Sequence, residues 1–197
     1  MPPLPPPPAG RGGGAPPITS TKIVVSGGFG VGKTTLVTSV SEIEPLTTES
    51  VMTVMSEATD RLDGLPDKVT TTVAMDFGRV TLDDDLVLYL FGTPGQGRFQ
   101  FMWDDLVRGA VGAVVMVDTR RVEDCFPAVD YFERSGLPFV VAINTFDGAP
   151  IYPAADLREA LSLRPATPLV ECDARDRRSA AQTLVAVVAH ALRLVAR

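Results

Sequence analysis

The chain has 197 residues, and 18 Lys and Arg against 24 Asp and Glu leave a net charge of −6 at pH 7. That length suits one domain with a well-buried core, and 45% hydrophobic residues exclude a disordered body. The acidic balance excludes a general nucleic-acid binder, which carries a basic patch and a high pI.

The first 17 residues hold eight Pro and four Gly. Residues 1–19 therefore read as a disordered Pro/Gly-rich tail, with Pro2–Pro8 locally in polyproline II, and residues 20–197 as the folded domain. The tail could also serve as an SH3-type ligand. The start, MPPLPPPPAG, lacks the basic and apolar regions of a signal peptide. The apolar stretch Leu184 to Ala196 is too short to span a bilayer. The expected location is the cytoplasm, without membrane insertion, and any visit to a membrane would need a partner. Cys125 and Cys172 stand in no metal-ligand spacing, and the single His190 cannot complete a zinc site, so a reducing compartment is expected.

Lys22–Ser26 is a β-branched run ending in Gly27-Gly28, a strand followed by a turn. A helix follows from about Lys33 to Glu42. Residues 42–70 are weakly patterned, with a short helix expected near Ser50–Asp60. From Thr72 the chain alternates as a half-exposed strand. Asp83-Asp84-Asp85 turns it, and Leu86–Phe91 returns as a buried strand, which makes an antiparallel hairpin. Gly112–Val117 and Phe139–Ile143 are continuous apolar runs, as in strands covered on both faces of a mostly parallel sheet. Helices are expected at Glu123–Ser135 (Pro127 in the first turn), Pro153–Leu161 and Ser179–Ala196, with a short strand at Thr167–Glu171. The sum is an α/β fold: six strands, mostly parallel with one antiparallel, and about five flanking helices.

Gly27-Gly28-Phe29-Gly30-Val31-Gly32-Lys33-Thr34 fits G-x-x-x-x-G-K-[ST], the phosphate-binding P-loop. Backbone N–H groups of Gly28, Gly30, Val31 and Gly32 can curl around a polyphosphate, and the helix carrying Lys33, Thr34 and Thr35 aims its positive end at the same anion. Lys33 can reach the β- and γ-phosphates, and the Thr34 hydroxyl can ligate Mg²⁺.

Four further segments follow in order. Phe91-Gly92-Thr93-Pro94-Gly95-Gln96-Gly97-Arg98-Phe99 resembles switch II of Ras-like small GTPases, most closely the Rab form. The resemblance implies that the Gly95 amide meets the γ-phosphate and that Gln96 orients the attacking water. Thr70–Phe77 resembles switch I and maps the family's Mg²⁺-binding threonine onto Thr72. Asn144-Thr145-Phe146-Asp147 resembles the guanine-recognition motif N-K-x-D, with Thr145 replacing Lys; Asp147 would accept the N1–H and 2-amino hydrogens that adenine lacks. Glu171-Cys172-Asp173-Ala174-Arg175 resembles E-x-S-A-K, and implies that Asp173, Ala174 and Arg175 border the base, the Ala174 amide meeting guanine O6.

The finer likeness, through G-F-G-V-G-K-T-T, T-V-A-M-D-F-G and F-G-T-P-G-Q, is to bacterial Ras-like proteins, the conservon GTPases of actinobacteria and more distantly the MglA polarity GTPases. It implies a small G-protein fold, GTP/GDP with Mg²⁺, and signalling with a roadblock-fold protein and a sensor histidine kinase. Two departures stand out. The family's metal-side Asp falls on Gly92, leaving Mg²⁺ to Thr34, Thr72, phosphate and water, and Phe29 occupies a P-loop position that commonly carries a small residue. Both imply slow intrinsic GTP hydrolysis, or a pseudo-GTPase scaffold without turnover. A P-loop kinase is the less fitting alternative, because no arginine-rich lid is visible.

Overall fold

In the computed structural model the described residues are 19–44, 46–55, 68–83 and 86–196. The expected tail falls outside them, except for Thr19. Seven strands form one sheet in the order β2-β3-β4-β1-β5-β6-β7: β1 (Thr19–Gly27), β2 (Leu46–Met55), β3 (Lys68–Asp83), β4 (Leu86–Gly92), β5 (Ala110–Val117), β6 (Phe139–Asn144) and β7 (Leu169–Cys172). β1 runs parallel to β4 and β5, and β5, β6 and β7 continue in parallel. Only β3 runs against its neighbours, between β2 and β4. The expected class therefore stands.

The seventh strand is β2, in the segment where the sequence suggested a short helix. Its apolar residues Leu46, Val51, Met52, Val54 and Met55 fall on both parities, so no strand period announces it. Its extension follows from pairing with β3, Leu46 opposite Phe77 through Met55 opposite Lys68. Tertiary pairing overrides a weak local pattern here.

The helices are α1 (Lys33–Val40), α2 (Trp103–Val107), α3 (Phe126–Ser135), α4 (Ala154–Ala160) and α5 (Arg177–Val195). Successive residues of the central strands face opposite layers, as the pleat requires. Ile23 and Val25 of β1 and Val114 and Met116 of β5 pack with Leu36, Val37 and Val40 of α1 and with Leu184 and Val187 of α5. Val24, Val115 and Val117 pack with Trp103 of α2 and with Ala128, Val129 and Phe132 of α3. α5 begins two residues earlier than its apolar period suggests because the Asp176 carboxylate accepts hydrogen bonds from the Arg178 and Ser179 amides. No described helix is long and apolar enough to cross a membrane. The parallel strands end together at Gly27, Gly92, Val117, Asn144 and Cys172, the edge at which an open α/β sheet holds its ligand.

Candidate nucleotide site

The turn after β1 closes around Lys33. Its Nζ donates to the carbonyls of Gly27 (2.9 Å) and Gly28 (2.7 Å), and the residue is only 8% exposed. Burial pulls the ammonium down to about 8, against the raising influence of the Asp76 carboxylate. Gly32 caps α1 at φ 103°, a left-handed conformation that favours glycine. A Cβ there would also lie 2.5 Å from Asn144 Nδ2.

Asn144 is the buried tie of the site. Its Nδ2 donates to the Val31 carbonyl (2.9 Å), and its Oδ1 accepts from the Ala174 amide (3.0 Å). One side chain thus joins the P-loop, the end of β6 and the β7–α5 connection. This revises the expectation for Ala174: its amide hydrogen is held by Asn144, so meeting a base O6 would require exchanging partners. Asp147 stands 89% exposed beyond it, with Arg175 Nη1 3.3 Å from Oδ2. Arg175 also grips Asp173 through Nε and Nη2, both at 3.0 Å, and holds that carboxyl below the usual carboxylate range. Thr145 is exposed, and its amide donates to the Cys172 carbonyl.

On the phosphate side, Gly95 presses on the P-loop so closely that a Cβ would meet Lys33 Nζ at 2.8 Å and Phe29 Cα at 2.9 Å. Gln96 is exposed and opens a 3₁₀ turn, Gly97–Met102. Gln96, Phe29, Gln100, Trp103, Glu123 and Asp124 border a cavity of about 270 Å³. Phe29 itself is 66% exposed. A larger cavity, about 540 Å³, lies behind the Asn144–Gly148 turn under α4, and its wall is mainly apolar, including Ile143, Phe146, Leu157 and Leu169. Lys33, Asn144 and the Thr34–Asp76 pair converge at the P-loop, which makes it the candidate centre.

The sequence reading missed Asp76. Its Oδ2 accepts a hydrogen bond from Thr34 Oγ1 at 2.8 Å. A Cβ on Gly92 would stand 2.9 Å from the same oxygen. The carboxylate absent from β4 is thus supplied by the adjacent strand, and the missing side chain of Gly92 leaves room for it. A carboxylate therefore does stand beside Thr34, where the sequence led none to be expected. Thr34 and Asp76 are hard oxygen donors of the kind a divalent cation could take. Among the described residues no group of three His, Cys, Asp or Glu could hold a metal by itself. Thr72 is not gathered here. It lies in β3 opposite Val51, four residues from Asp76 along an extended strand, or about 13 Å. Downstream of Gln96, Phe99 and Trp103 are buried core, while Phe101 is 58% exposed.

A parallel sheet with one reversed strand, a lysine-bearing phosphate loop after its first strand, and a Thr–Asp pair beside it define a P-loop NTPase with the fold of a G domain. The chain belongs to the family described as "Conserved hypothetical ATP binding protein", whose profile matches residues 25–194. It is similar to the "Uncharacterized protein MJ1339" of Methanocaldococcus jannaschii, 30% identical over 128 residues that span 64% of this chain and 70% of that one. In fold it resembles the FeoB G-domain from Methanococcus jannaschii: TM-score 0.59 at 14% identity, over 88% of this chain and 99% of that domain.

Proposed function

We propose that residues 20–197 form a guanine-nucleotide switch that binds GTP and GDP with Mg²⁺ and hydrolyses GTP slowly when alone. The observation that carries the reading is Asn144, whose side chain couples the phosphate loop to the Ala174 turn and leaves Asp147 three residues beyond the end of β6. A carboxylate there matches the donor pair on the guanine edge and has no such partner on adenine. Lys33, the P-loop amides and the Gly95 amide would bind the β- and γ-phosphates, and Gln96 would orient water. Mg²⁺ would be held by Thr34 and Asp76 and would supply charge neutralisation at the phosphates. Thr72 would join only after the first half of β3 rearranges, a change that would make the surface depend on nucleotide.

Phe29, beside Gln96 at the mouth of the cavity, favours slow chemistry, on the ~10⁻⁴ s⁻¹ scale of unassisted Ras-type hydrolysis or below. Single-turnover assays should show Phe29→Gly raising the rate. No turnover in either protein would leave a nucleotide-bound scaffold. The resemblance to conservon GTPases supports a cytoplasmic signalling role with a roadblock-fold partner and a sensor histidine kinase. Among the aromatic residues after Gln96, exposed Phe101 is the one free to dock such a partner.

A second reading, adenine-nucleotide binding, is favoured by the description of the family and by the Arg175 contact that occupies Asp147. Titration with labelled GDP, GTP, ADP and ATP decides between them. Guanine nucleotides are expected to bind at least about tenfold more tightly. Equal or tighter binding of ATP would discard the guanine switch for the adenine reading.

A further inference from the structure

The connection from β5 to α3, Asp118-Thr119-Arg120-Arg121, brings a cation to the outer side of the phosphate loop. Arg121 Nη2 donates to the Phe29 carbonyl at 3.2 Å and would lie 3.7 Å from a Cβ on Gly30. Two carboxylates hold this guanidinium from behind: Asp118 Oδ2 at 3.7 Å and Asp124 Oδ2 at 3.6 Å. Asp118 is itself buried and fixed by the Arg120 fork, Nε to Oδ1 at 2.9 Å and Nη2 to Oδ2 at 2.7 Å. The loop rests directly on this connection, because a Cβ on Gly28 would lie 2.6 Å from Asp124 Cβ.

The carbonyl that Arg121 binds belongs to the same peptide unit as the Gly30 N–H. In a trans peptide the two point in opposite directions, so holding the carbonyl outward directs the Gly30 N–H away from Arg121. Gly30 is left-handed, φ 71°, and glycine by itself would let this peptide plane flip. The neighbouring carbonyls are also held by side chains, Gly27 and Gly28 by Lys33 and Val31 by Asn144. We propose that Arg121 is a positioning residue that locks the Phe29–Gly30 peptide so that its N–H faces the bound diphosphate. The inference rests on the nucleotide reading above and is indifferent to the identity of the base.

The test compares wild type, Arg121→Ala and Arg121→Lys by calorimetric titration at fixed Mg²⁺ with GDP against GMP, and with ADP against AMP. Thermal melts confirm folding. Arg121→Ala should weaken binding of the preferred diphosphate about tenfold or more, while the monophosphate changes less than about twofold. Arg121→Lys, which keeps the charge and a donor, should fall between. Unchanged diphosphate affinity in both variants, or equal losses for diphosphate and monophosphate, would overturn the proposal. A wild type that binds none of the four nucleotides would instead overturn the nucleotide reading itself.

Discussion

The proposed Mg²⁺ site takes its carboxylate from β3 rather than β4, which makes a prediction that single-site reasoning would get backwards. Asp76→Asn keeps the shape of the side chain but removes the charge facing Thr34 at 2.8 Å. Loss of one carboxylate that ligates or orients the metal shell weakens metal affinity by about 10–100-fold, or about 1.4–2.7 kcal/mol. The same change withdraws the charge that raises Lys33, so the lysine would lose its proton at lower pH. The assay is release of a fluorescent GDP as Mg²⁺ is varied. The Mg²⁺ concentration for half-maximal retention should rise about 10–100-fold in Asp76→Asn.

Gly92→Asp is the informative partner. It restores the residue that Ras-like proteins place there, yet its Cβ would meet Asp76 Oδ2 at 2.9 Å and Asp76 Cβ at 3.0 Å. Two carboxylates would then crowd one site, so the single change should weaken retention. The double variant Asp76→Gly with Gly92→Asp moves the carboxylate back across the hairpin and should recover most of the wild-type behaviour. Tighter retention in Gly92→Asp alone, or unchanged Mg²⁺ dependence in Asp76→Asn, would refute the reasoning.

Asp147→Asn should cost guanine nucleotides more than about tenfold in affinity and improve xanthine nucleotides, read by competition against labelled GDP; unchanged selectivity would remove Asp147 from base recognition. Trp103 is 4% exposed, stacks on Phe132, and has an indole N–H without a hydrogen-bond partner among the described residues. Trp103→Phe removes that buried donor and should stay within about 1 kcal/mol of wild type in urea unfolding, whereas Trp103→Ala should lose about 3–5 kcal/mol.

The phosphate loop and the Asn144–Asp147 turn were legible because each is a short contiguous motif following an apolar strand. Asp76 was not, although it stands inside the quoted V-A-M-D-F-G. Counting the hairpin back from the pair Asp83 and Leu86 sets Asp76 opposite Thr93. A register shift between Thr81 and Asp83 moves the ladder by one, so that Phe77 faces Phe91 and Asp76 falls beside Gly92. A one-residue irregularity exchanges faces of the strand, and no alternation in the sequence reports it. The burial of Phe99 and Trp103 was hidden for another reason. Both lie in or after a 3₁₀ turn, whose period differs from that of the α-helix by which apolar clusters are read.

Lys33 leads to a final prediction with a definite sign. A buried lysine whose proton is lost at about 8, against an ordinary 10.5, is charged below pH 8 and neutral in the empty site above it. Below pH 8 the fold bears the full burden of the buried charge; between about 8 and 10.5 the unfolded chain holds a proton that the folded protein has released. Lys33 alone would therefore make the nucleotide-free fold more stable as pH rises through that window. Burial pushes the Cys125 thiol up to about 12, which acts in the opposite direction above pH 9, so a melting curve would mix the two. Phosphate binding separates them. An anion at the loop favours the charged lysine, so binding at pH 8 to 9 must take up a proton, and affinity must fall by up to about tenfold per pH unit there. Calorimetry of sulfate binding, an anion with no proton to exchange at these pH values, in two buffers of different ionisation enthalpy, measures that uptake without metal or base. Up to one proton should be absorbed near pH 8.5 and almost none at pH 7. The onset should shift to lower pH in Asp76→Asn, because the Asp76 carboxylate helps keep the lysine charged. Equal uptake at both pH values, or no uptake at either, would mean that Lys33 does not meet the phosphates.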